Sequence, residues 1–337
     1  FKSNRPKWVA TTLSDCQMWS SGTMVGGVLQ KIPNTNFLGA GSLGQKVFNH
    51  MMSYKGDKVI VSTSSGIALL ADYAKELTED QRNSLRLAMY GSGLMSKKQE
   101  DVLKEVYPQI NILSYFAATQ AETIGLQLNE VSKTLSAVPG LHFIEIVDEN
   151  GKWVKEGDEG ELVITRLHAN RAPNIRYRLG DRMVRLKRKN ITKLKTNQFL
   201  FSGRSGDIIH LGDSQFSAIK VKDALFSYLK KEALDLENQA LEIQFLNDRS
   251  KRVLIFLISA LDPDKLNKTI VNQGQEKIND LFMHALVNAL PLFNTSEANN
   301  EYIEKSNYQF QLKIVSKDAV EIYKTPLGKI PLIKDQF

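Results

Sequence analysis

The sequence predicts an α/β protein: a large N-terminal α/β domain with a parallel sheet and a β-rich subdomain, then a small C-terminal α+β domain. Three observations carry this. Between Lys58 and Ser114, apolar runs of strand length alternate with helical patterns of roughly ten residues, the signature of βαβ units and a parallel sheet. From about Leu141 the helical pattern gives way to short strands joined by turn residues, and after Gly203 strands and amphipathic helices follow in a third arrangement. At ~100–200 residues per domain, 337 residues make two domains. The expected bounds are 1–205, with the β-rich part at about 141–205, and 206–337.

Each element has its own signal. Val59-Ile-Val-Ser62 reads as a buried strand, followed by a helix over 67–77 with apolar residues at helical spacing. Arg86–Tyr90 is the next strand, Gly91-Ser-Gly93 a turn, and 97–106 a helix. Gln109–Ser114 is a strand that leads into small residues and Thr119. His142–Val147 and Gly160–Thr165 are strands joined by Asp148-Glu-Asn-Gly151, a turn. The C-terminal part reads as a helix over 217–229, strands around 241–245 and 253–258, a long helix over 275–290 and a strand over 309–314.

Composition excludes several classes. The 42% hydrophobic and 24% charged content is that of an ordinary globular chain. The longest strongly apolar run, Val253–Leu261, has nine residues, against the ~20 of a membrane-spanning helix, so no membrane partner is expected. Cys16 is the only cysteine, which allows no internal disulfide, fits a reducing cytoplasm, and with five scattered His speaks against structural zinc. No signal peptide is visible, and the opening on Phe1 rather than Met implies a lost N-terminal piece. The net charge of +7 is uneven: between Arg166 and Arg204 stand twelve Lys or Arg and one acid, Asp181. A solvated basic surface and a polyphosphate-ligand site both fit that stretch. No nucleic-acid partner is expected, because no DNA- or RNA-binding motif accompanies the charge.

Five segments carry chemistry in a fixed order. They are Gly91-Ser-Gly-Leu-Met-Ser96, Tyr115-Phe-Ala-Ala-Thr-Gln-Ala-Glu122, Pro173-Asn-Ile-Arg-Tyr-Arg-Leu-Gly-Asp181, Gly203-Arg-Ser-Gly-Asp-Ile-Ile-His-Leu-Gly212 and Thr325-Pro-Leu-Gly-Lys-Ile330. The ordered set resembles the adenylate-forming acyl ligase superfamily, in its phenylacetate–CoA ligase-like branch, from about Lys58 to the end. Arg-Tyr-Arg-x-Gly-Asp followed by Gly-Arg-x-x-Asp is its most specific element. The resemblance implies joining of a carboxylic acid to ATP as an acyl-adenylate, with release of pyrophosphate. The branch implies an aromatic or otherwise planar acid. It also suggests a role in secondary metabolism such as phenazine antibiotic biosynthesis, with hand-over to CoA, a reductase or another acceptor, and a family-like homodimer.

By resemblance, Asp181 accepts hydrogen bonds from both ribose hydroxyls, for which a carboxylate is well suited; a turn Asp paired with Arg178 or Arg204 is the alternative. Arg204 matches the Arg that contacts ribose or phosphate. Phe116 would stack on adenine, Ala117 and Ala118 would let the backbone approach, and Thr119 would bind the α-phosphate. A buried strand-to-helix turn is the structural alternative for that stretch. Gly91, Ser92 and Gly93 match the adenine loop, without its acid. Gln120 stands where the family places its magnesium-binding Glu, and a neutral amide is a poor ligand for a hard cation. Glu122 could replace it only in a rearranged loop, so these departures weaken the expected adenylation. Lys329 matches the C-terminal lysine that bridges carboxylate and α-phosphate, and Gly206 occupies the hinge position of a mobile C-terminal domain. Tyr90 and Tyr115 are candidates to sandwich a planar acid, with core packing the alternative for Tyr90. Ser20-Ser-Gly-Thr-Met-Val-Gly-Gly27 resembles the family's phosphate loop but lacks its Lys. Either that loop is degenerate here or its residues are missing from the sequence. A binding module that keeps the fold and loses the catalysis is the rival reading.

Overall fold

A computed structural model describes residues 5–15, 21–41, 44–168, 173–187, 196–204, 206–211, 214–231, 235–271, 274–289, 308–325 and 330–336. The chain divides into two compact units, Phe1–Met95 with Gln99–Ser202, and Ser96–Lys98 with Gly203–Phe337.

The first unit is built on one long sheet. Its parallel half comprises β1 (Trp8–Thr11), β2 (Asn36–Gly39), β3 (Lys58–Thr63), β4 (Leu85–Gly91) and the first part of β5 (Asn111–Ala118). Between these strands run α1 (Ser21–Leu29), α2 (Gln45–Ser53), α3 (Ser64–Ala68), α4 (Leu70–Tyr73), α5 (Glu79–Asn83) and α6 (Lys97–Val106). A parallel sheet covered by helices needs continuous apolar strands, and Val59, Ile60 and Val61 of β3 are all buried. Phe48, Met51 and Met52 of α2 and Leu103 of α6 pack in one core with Ile60, Ala88 and Ile112. Tyr107 is buried there and donates its hydroxyl to the Leu70 carbonyl at 2.6 Å.

At Tyr115 the pairing changes. β5 leaves β4 after Ser114 and pairs antiparallel with β6 (Glu122–Gln127) over Tyr115–Ala118. Then follow β7 (Leu135–Ala137), β8 (His142–Val147), β9 (Glu159–Arg166), β10 (Tyr177–Leu186) and β11 (Gln198–Arg204). The strand order is β2-β1-β3-β4-β5-β6-β7-β11-β10-β9-β8. Antiparallel structure therefore starts at Tyr115, ahead of the expected Leu141, because the chain reverses over 119–121 in a hairpin. The turn at Asp148–Gly151 forms as expected: the Asp148 carboxylate accepts from the Asn150 and Lys152 N–H groups, both at 2.9 Å.

The second unit holds a two-stranded hairpin, β12 (Ile208–Leu211) with β13 (Ser214–Ser217), and a four-stranded sheet. That sheet is made of β14 (Ala240–Asp248), β15 (Val253–Ala260), β16 (Gln309–Ser316) and β17 (Ile333–Gln336), in the order β16-β15-β14-β17. Helices α7 (Ala218–Lys231), α8 (Pro263–Val271) and α9 (Gly274–Ala289) accompany it. Phe245 stacks on Phe256 at 4.7 Å and Phe282 on Phe310 at 5.1 Å, inside one core.

Two expectations are corrected. The helix expected over 67–77 begins at Ser64, because the Thr63 hydroxyl caps it by accepting from the Gly66 N–H at 3.1 Å. It is then segmented into α3, α4 and a tight turn over Ala74–Glu76. Residues 21–27 of the segment resembling a phosphate loop are helical. The Asp15 carboxylate accepts the Thr23 N–H at 3.0 Å and fixes the start of α1.

Candidate functional site

In an open parallel sheet, ligands bind beyond the carboxyl ends of the strands, next to the point where strand order reverses. With β1 between β2 and β3, that point lies here at β1/β3. The carboxyl ends bring hydroxyls together: Ser62 is buried, and its Oγ hydrogen-bonds the Thr12 hydroxyl. Beyond β4, Gly93 lies so close to the next loop that a Cβ would stand 2.7 Å from Ser64 Oγ, and Ser92 takes a positive φ of 65°. Gly91 lies against the Tyr115 ring; a Cβ there would be 2.7 Å from two ring carbons. The site therefore needs Gly at 91 for the aromatic ring to sit where it does.

The two tyrosines differ. Tyr90 is 2% exposed, belongs to the core with Met95 and Leu103, and its hydroxyl bonds Ser114 and the Met95 backbone. Tyr115 is half-buried, and burial pushes its phenol up to about 12.

The β5–β6 turn carries the next group. Ala118 pairs with Glu122, and the Ala121 N–H donates to the Ala118 carbonyl at 3.0 Å. This is a hairpin, which corrects the strand-to-helix alternative: β5 continues through Ala118 and then returns as β6. Thr119 and Gln120 are exposed at its tip. Phe116 is half-buried and packs on Phe201 at 5.9 Å. Ala117 is exposed and Ala118 half-buried. Glu122 has φ +58°, an uncommon value for a residue with a side chain. Its carboxylate lies 3.7 Å from Arg166 Nη2 and 3.6 Å from His168 Nε2. The Gln120 carbonyl accepts from Arg166 Nη2 at 2.9 Å and from Asn174 Nδ2 at 2.5 Å. For Mg²⁺ this donor set fits poorly, since one side chain is a neutral amide and the Glu122 carboxylate faces the Arg166 guanidinium and the His168 ring. Among the described residues no group of three or more His, Cys, Asp or Glu is arranged to hold a metal.

Asp181 is 4% exposed in β10, where the β9 pairing slips between Arg178 and Arg182 and Gly180 has φ +76°. The surrounding cations are engaged. Arg176 pairs with Glu145 at 3.1 Å, Arg178 with Glu161, and Arg182 with Glu159 at 2.6 Å. Arg185 lies over the Trp153 ring at 4.8 Å. Within the stretch that reads as a basic surface or a polyphosphate site, glutamates of β8 and β9 thus pair with three of the arginines.

In the second unit, Gly203 has φ +123°, and Arg204 is exposed at the end of β11. Asp207 follows, its N–H donating to the Arg204 carbonyl at 3.1 Å. Burial raises its carboxyl above the usual range, against the opposing effect of Arg204. Gly206 is exposed, and a Cβ added there would meet no atom within 4 Å. Lys329, Cys16 and Ser20 lie outside the described residues. Sequence reasoning missed Ser62, Ser64, Asn174 and the role of Arg166, which it counted only as charge. Asn174 stands inside the Pro173–Asp181 segment, but nothing local gives it or Arg166 this role, because the contacts join segments 46 to 54 residues apart at the turn.

No family model and no curated protein matches the sequence. Solved structures do match its fold. The chain is similar to a 2-hydroxyisobutyryl-CoA ligase in the postadenylation state, in complex with R3-HIB-AMP: TM-score 0.65, 12% identity, covering 98% of this chain and 66% of that one. It is similar to the anthranilate CoA ligase AuaEII in complex with anthranoyl-AMP, with TM-score 0.54 and 14% identity over 96% of this chain and 58% of that one. It is also similar to Klebsiella oxytoca NpsA in complex with 3-hydroxyanthranilyl-AMSN, with TM-score 0.59 and 11% identity over 96% and 61%. The chain thus spans less than two thirds of each of these structures. At such identities the likeness establishes the fold: mixed α/β, with a large sheet and a smaller second one.

Proposed function

We propose that this chain takes part in ATP-dependent activation of a carboxylic acid as its acyl-adenylate, as an adenylate-forming ligase. The observation that carries the reading is the packing of Gly91 against the Tyr115 ring where β4 and β5 part, with Thr119 exposed just past the end of β5, in a fold whose neighbours include acyl-AMP complexes. An acid oxygen attacks the α-phosphorus, the bond from that phosphorus to its bridging oxygen breaks, and pyrophosphate leaves. Thr119 donates its hydroxyl to the α-phosphate, Phe116 stacks on adenine, and Asp181 accepts from the ribose hydroxyls. Arg204 serves ribose or phosphate. Lys329 supplies the cation that offsets repulsion between carboxylate and phosphate, and Gly206 gives residues 206–337 their rotational freedom.

The acid is aromatic on this reading. Tyr115 over Gly91 makes a flat aromatic wall, and two of the neighbours hold anthranoyl or 3-hydroxyanthranilyl groups. The phenylacetate–CoA ligase-like branch, the phenazine context, a CoA or reductase acceptor, a homodimer and a cytoplasmic setting rest on the sequence resemblance. Pyrophosphate exchange with a panel of aryl acids tests the reading. Exchange with at least one is expected, and none with any, by full-length protein, removes it.

One observation favours a second reading, a catalytically weakened binding module. The Glu122 carboxylate faces Arg166 and His168, and Gln120 replaces the metal-binding acid. ATP binding that Mg²⁺ leaves unchanged, without exchange, supports the module; tighter binding with Mg²⁺ supports the enzyme.

A further inference from the structure

The turn at 119–121 is held from one side by Arg166, which no motif contains, and by Asn174, near the start of the 173–181 segment. The Arg166 guanidinium spans two anchor points on it: Nη2 donates to the Gln120 carbonyl at 2.9 Å and stands 3.7 Å from the Glu122 carboxylate. The Arg166 side chain is only 10% exposed. Asn174 adds a second donor to the same carbonyl at 2.5 Å, and its own backbone carbonyl accepts the Arg166 N–H at 2.8 Å. The two residues thus form one brace from the β9 end to the hairpin tip. A brace has work to do here, because Glu122 sits at φ +58°, a conformation that a residue with a side chain keeps only where its surroundings hold it. Thr119, one residue before the braced carbonyl, is exposed and makes its own direction depend on that turn.

We propose that Arg166, with Asn174, is the positioning residue of the 119–122 turn and sets the direction in which Thr119 presents its hydroxyl. One guanidinium nitrogen, Nη2, faces both points at once, and the rigid planar group holds it there; a Lys ammonium, at the end of a flexible stem, replaces it only in part. The consequence for turnover rests on the adenylation reading above, whereas the hold on the turn does not. A displacement of about 1 Å in a group that orients a reacting phosphate costs on the order of 10²-fold in rate.

The test compares Arg166→Lys, Arg166→Gln and Asn174→Ala with the unaltered full-length protein. Hydrogen–deuterium exchange without substrate reads the turn itself. At least tenfold faster exchange is expected in the peptide covering 117–123, with peptides of β3 and β15 unchanged. Protection at 117–123 that stays within twofold in both Arg166 variants overturns the proposal, whatever the activity. If Arg166→Gln does not fold, Asn174→Ala decides, since it removes one donor from a half-buried position. Pyrophosphate exchange is the second readout. A kcat lowered 10- to 100-fold with KM for ATP within threefold, partly rescued by Arg166→Lys, marks positioning; equal loss in KM marks a general weakening of the site and overturns the link to Thr119. Absence of exchange in the unaltered protein counts against the adenylation reading alone, and the deuterium result still decides the brace.

Discussion

The two halves of the long sheet handle charge in opposite ways. In the parallel half, Lys58 is the only Lys, Arg, Asp or Glu among the described residues that is fully buried. Its ammonium donates to the Tyr54 carbonyl at 2.7 Å, the Gly56 carbonyl at 2.8 Å and Ser84 Oγ at 3.0 Å. In the antiparallel half, Glu145 and Asp181 are buried and three arginines of β10 or its approach pair with glutamates. A parallel sheet covered on both faces leaves charge no exit except at the strand ends, whereas an antiparallel sheet can turn one face to water. The parallel half therefore offers hydroxyls, glycines and backbone N–H groups at its carboxyl edge. The antiparallel half offers arginines already matched by glutamates, and the proposed function gives the buried Asp181 its ligand role there.

The largest effects break that comparison at the proposed reacting groups. Lys329→Ala is expected to lower pyrophosphate exchange by on the order of 10²–10³ with ATP binding nearly unchanged, since it removes a cation that acts on the transition state. Asp181→Ala should do the reverse, weakening ATP binding by roughly 10- to 100-fold, the loss of charged hydrogen bonds. Glu161→Gln, which removes a matched partner of the same half, should leave calorimetric ATP affinity within twofold. Equal losses for Asp181→Ala and Glu161→Gln would show that Asp181 is one more structural ion.

Next come the packing constraints of the parallel half. Gly91→Ala drives a methyl to 2.7 Å from the Tyr115 ring and should cost about 1–3 kcal/mol in urea unfolding. Tyr115→Leu combined with it should recover part of that loss, which a double-mutant cycle reads. Lys58→Met keeps the length of the side chain but strips three acceptors of their donor, for about 1–3 kcal/mol. A neutral outcome there would mean that water satisfies those carbonyls and the burial of Lys58 is incidental.

A smaller effect separates the halves by pH. His142 is buried without a hydrogen-bond partner on either ring nitrogen. Burial first, then His168 and Arg166, lowers its affinity for protons, with Glu122 opposing. Its value in the folded chain lies below the unfolded value of about 6.5, so the unfolded state takes the proton first. The associated stability is complete above about 6.5 and is lost as pH falls towards the folded value. His142→Phe should flatten stability between pH 7 and 5; an unchanged slope assigns the acid sensitivity elsewhere.

What the sequence made legible follows the same division. Where burial on both faces sets the pattern, local reading succeeds: 97–106 is a helix, and strands lie within 58–63 and 85–91. The strand over 142–147 is equally plain. Where long-range partners decide, it does not. Nothing in Tyr115–Ala118 says that the strand changes partner from β4 to β6, and nothing near Ser21 says that Asp15 will start a helix there. The short strand β17 and helix α8 left no distinctive signal, since β17 is polar and gains its place by pairing with β14. In the candidate site the glycines and aromatics could be named in advance, but the brace of Arg166 and Asn174 could not. The charge run around it was legible only as a count. That Glu145, Glu159 and Glu161 would pair with three of its arginines depends on the β8–β9–β10 register, which no local pattern encodes.

The smallest expected effect tests that pairing. Arg178 and Arg182 keep 47% and 39% of their side chains exposed, and their partners Glu161 and Glu159 keep 20% each. Pairs so open to water are worth at most about 1 kcal/mol and less as salt rises. Arg176 is left out, since its removal would strand the buried Glu145. The double variant Arg178→Gln with Arg182→Gln should lose at most about 1 kcal/mol at low salt, and that loss should shrink in 0.5 M salt. Ser202 still donates to Glu159 at 3.0 Å, which softens the effect further. If these arginines serve only the sheet, affinity for inorganic polyphosphate should stay within twofold of the unaltered protein. A tenfold fall in that affinity, with stability unchanged, would mean that the glutamates yield to a stronger anion and that the antiparallel half is a binding surface after all.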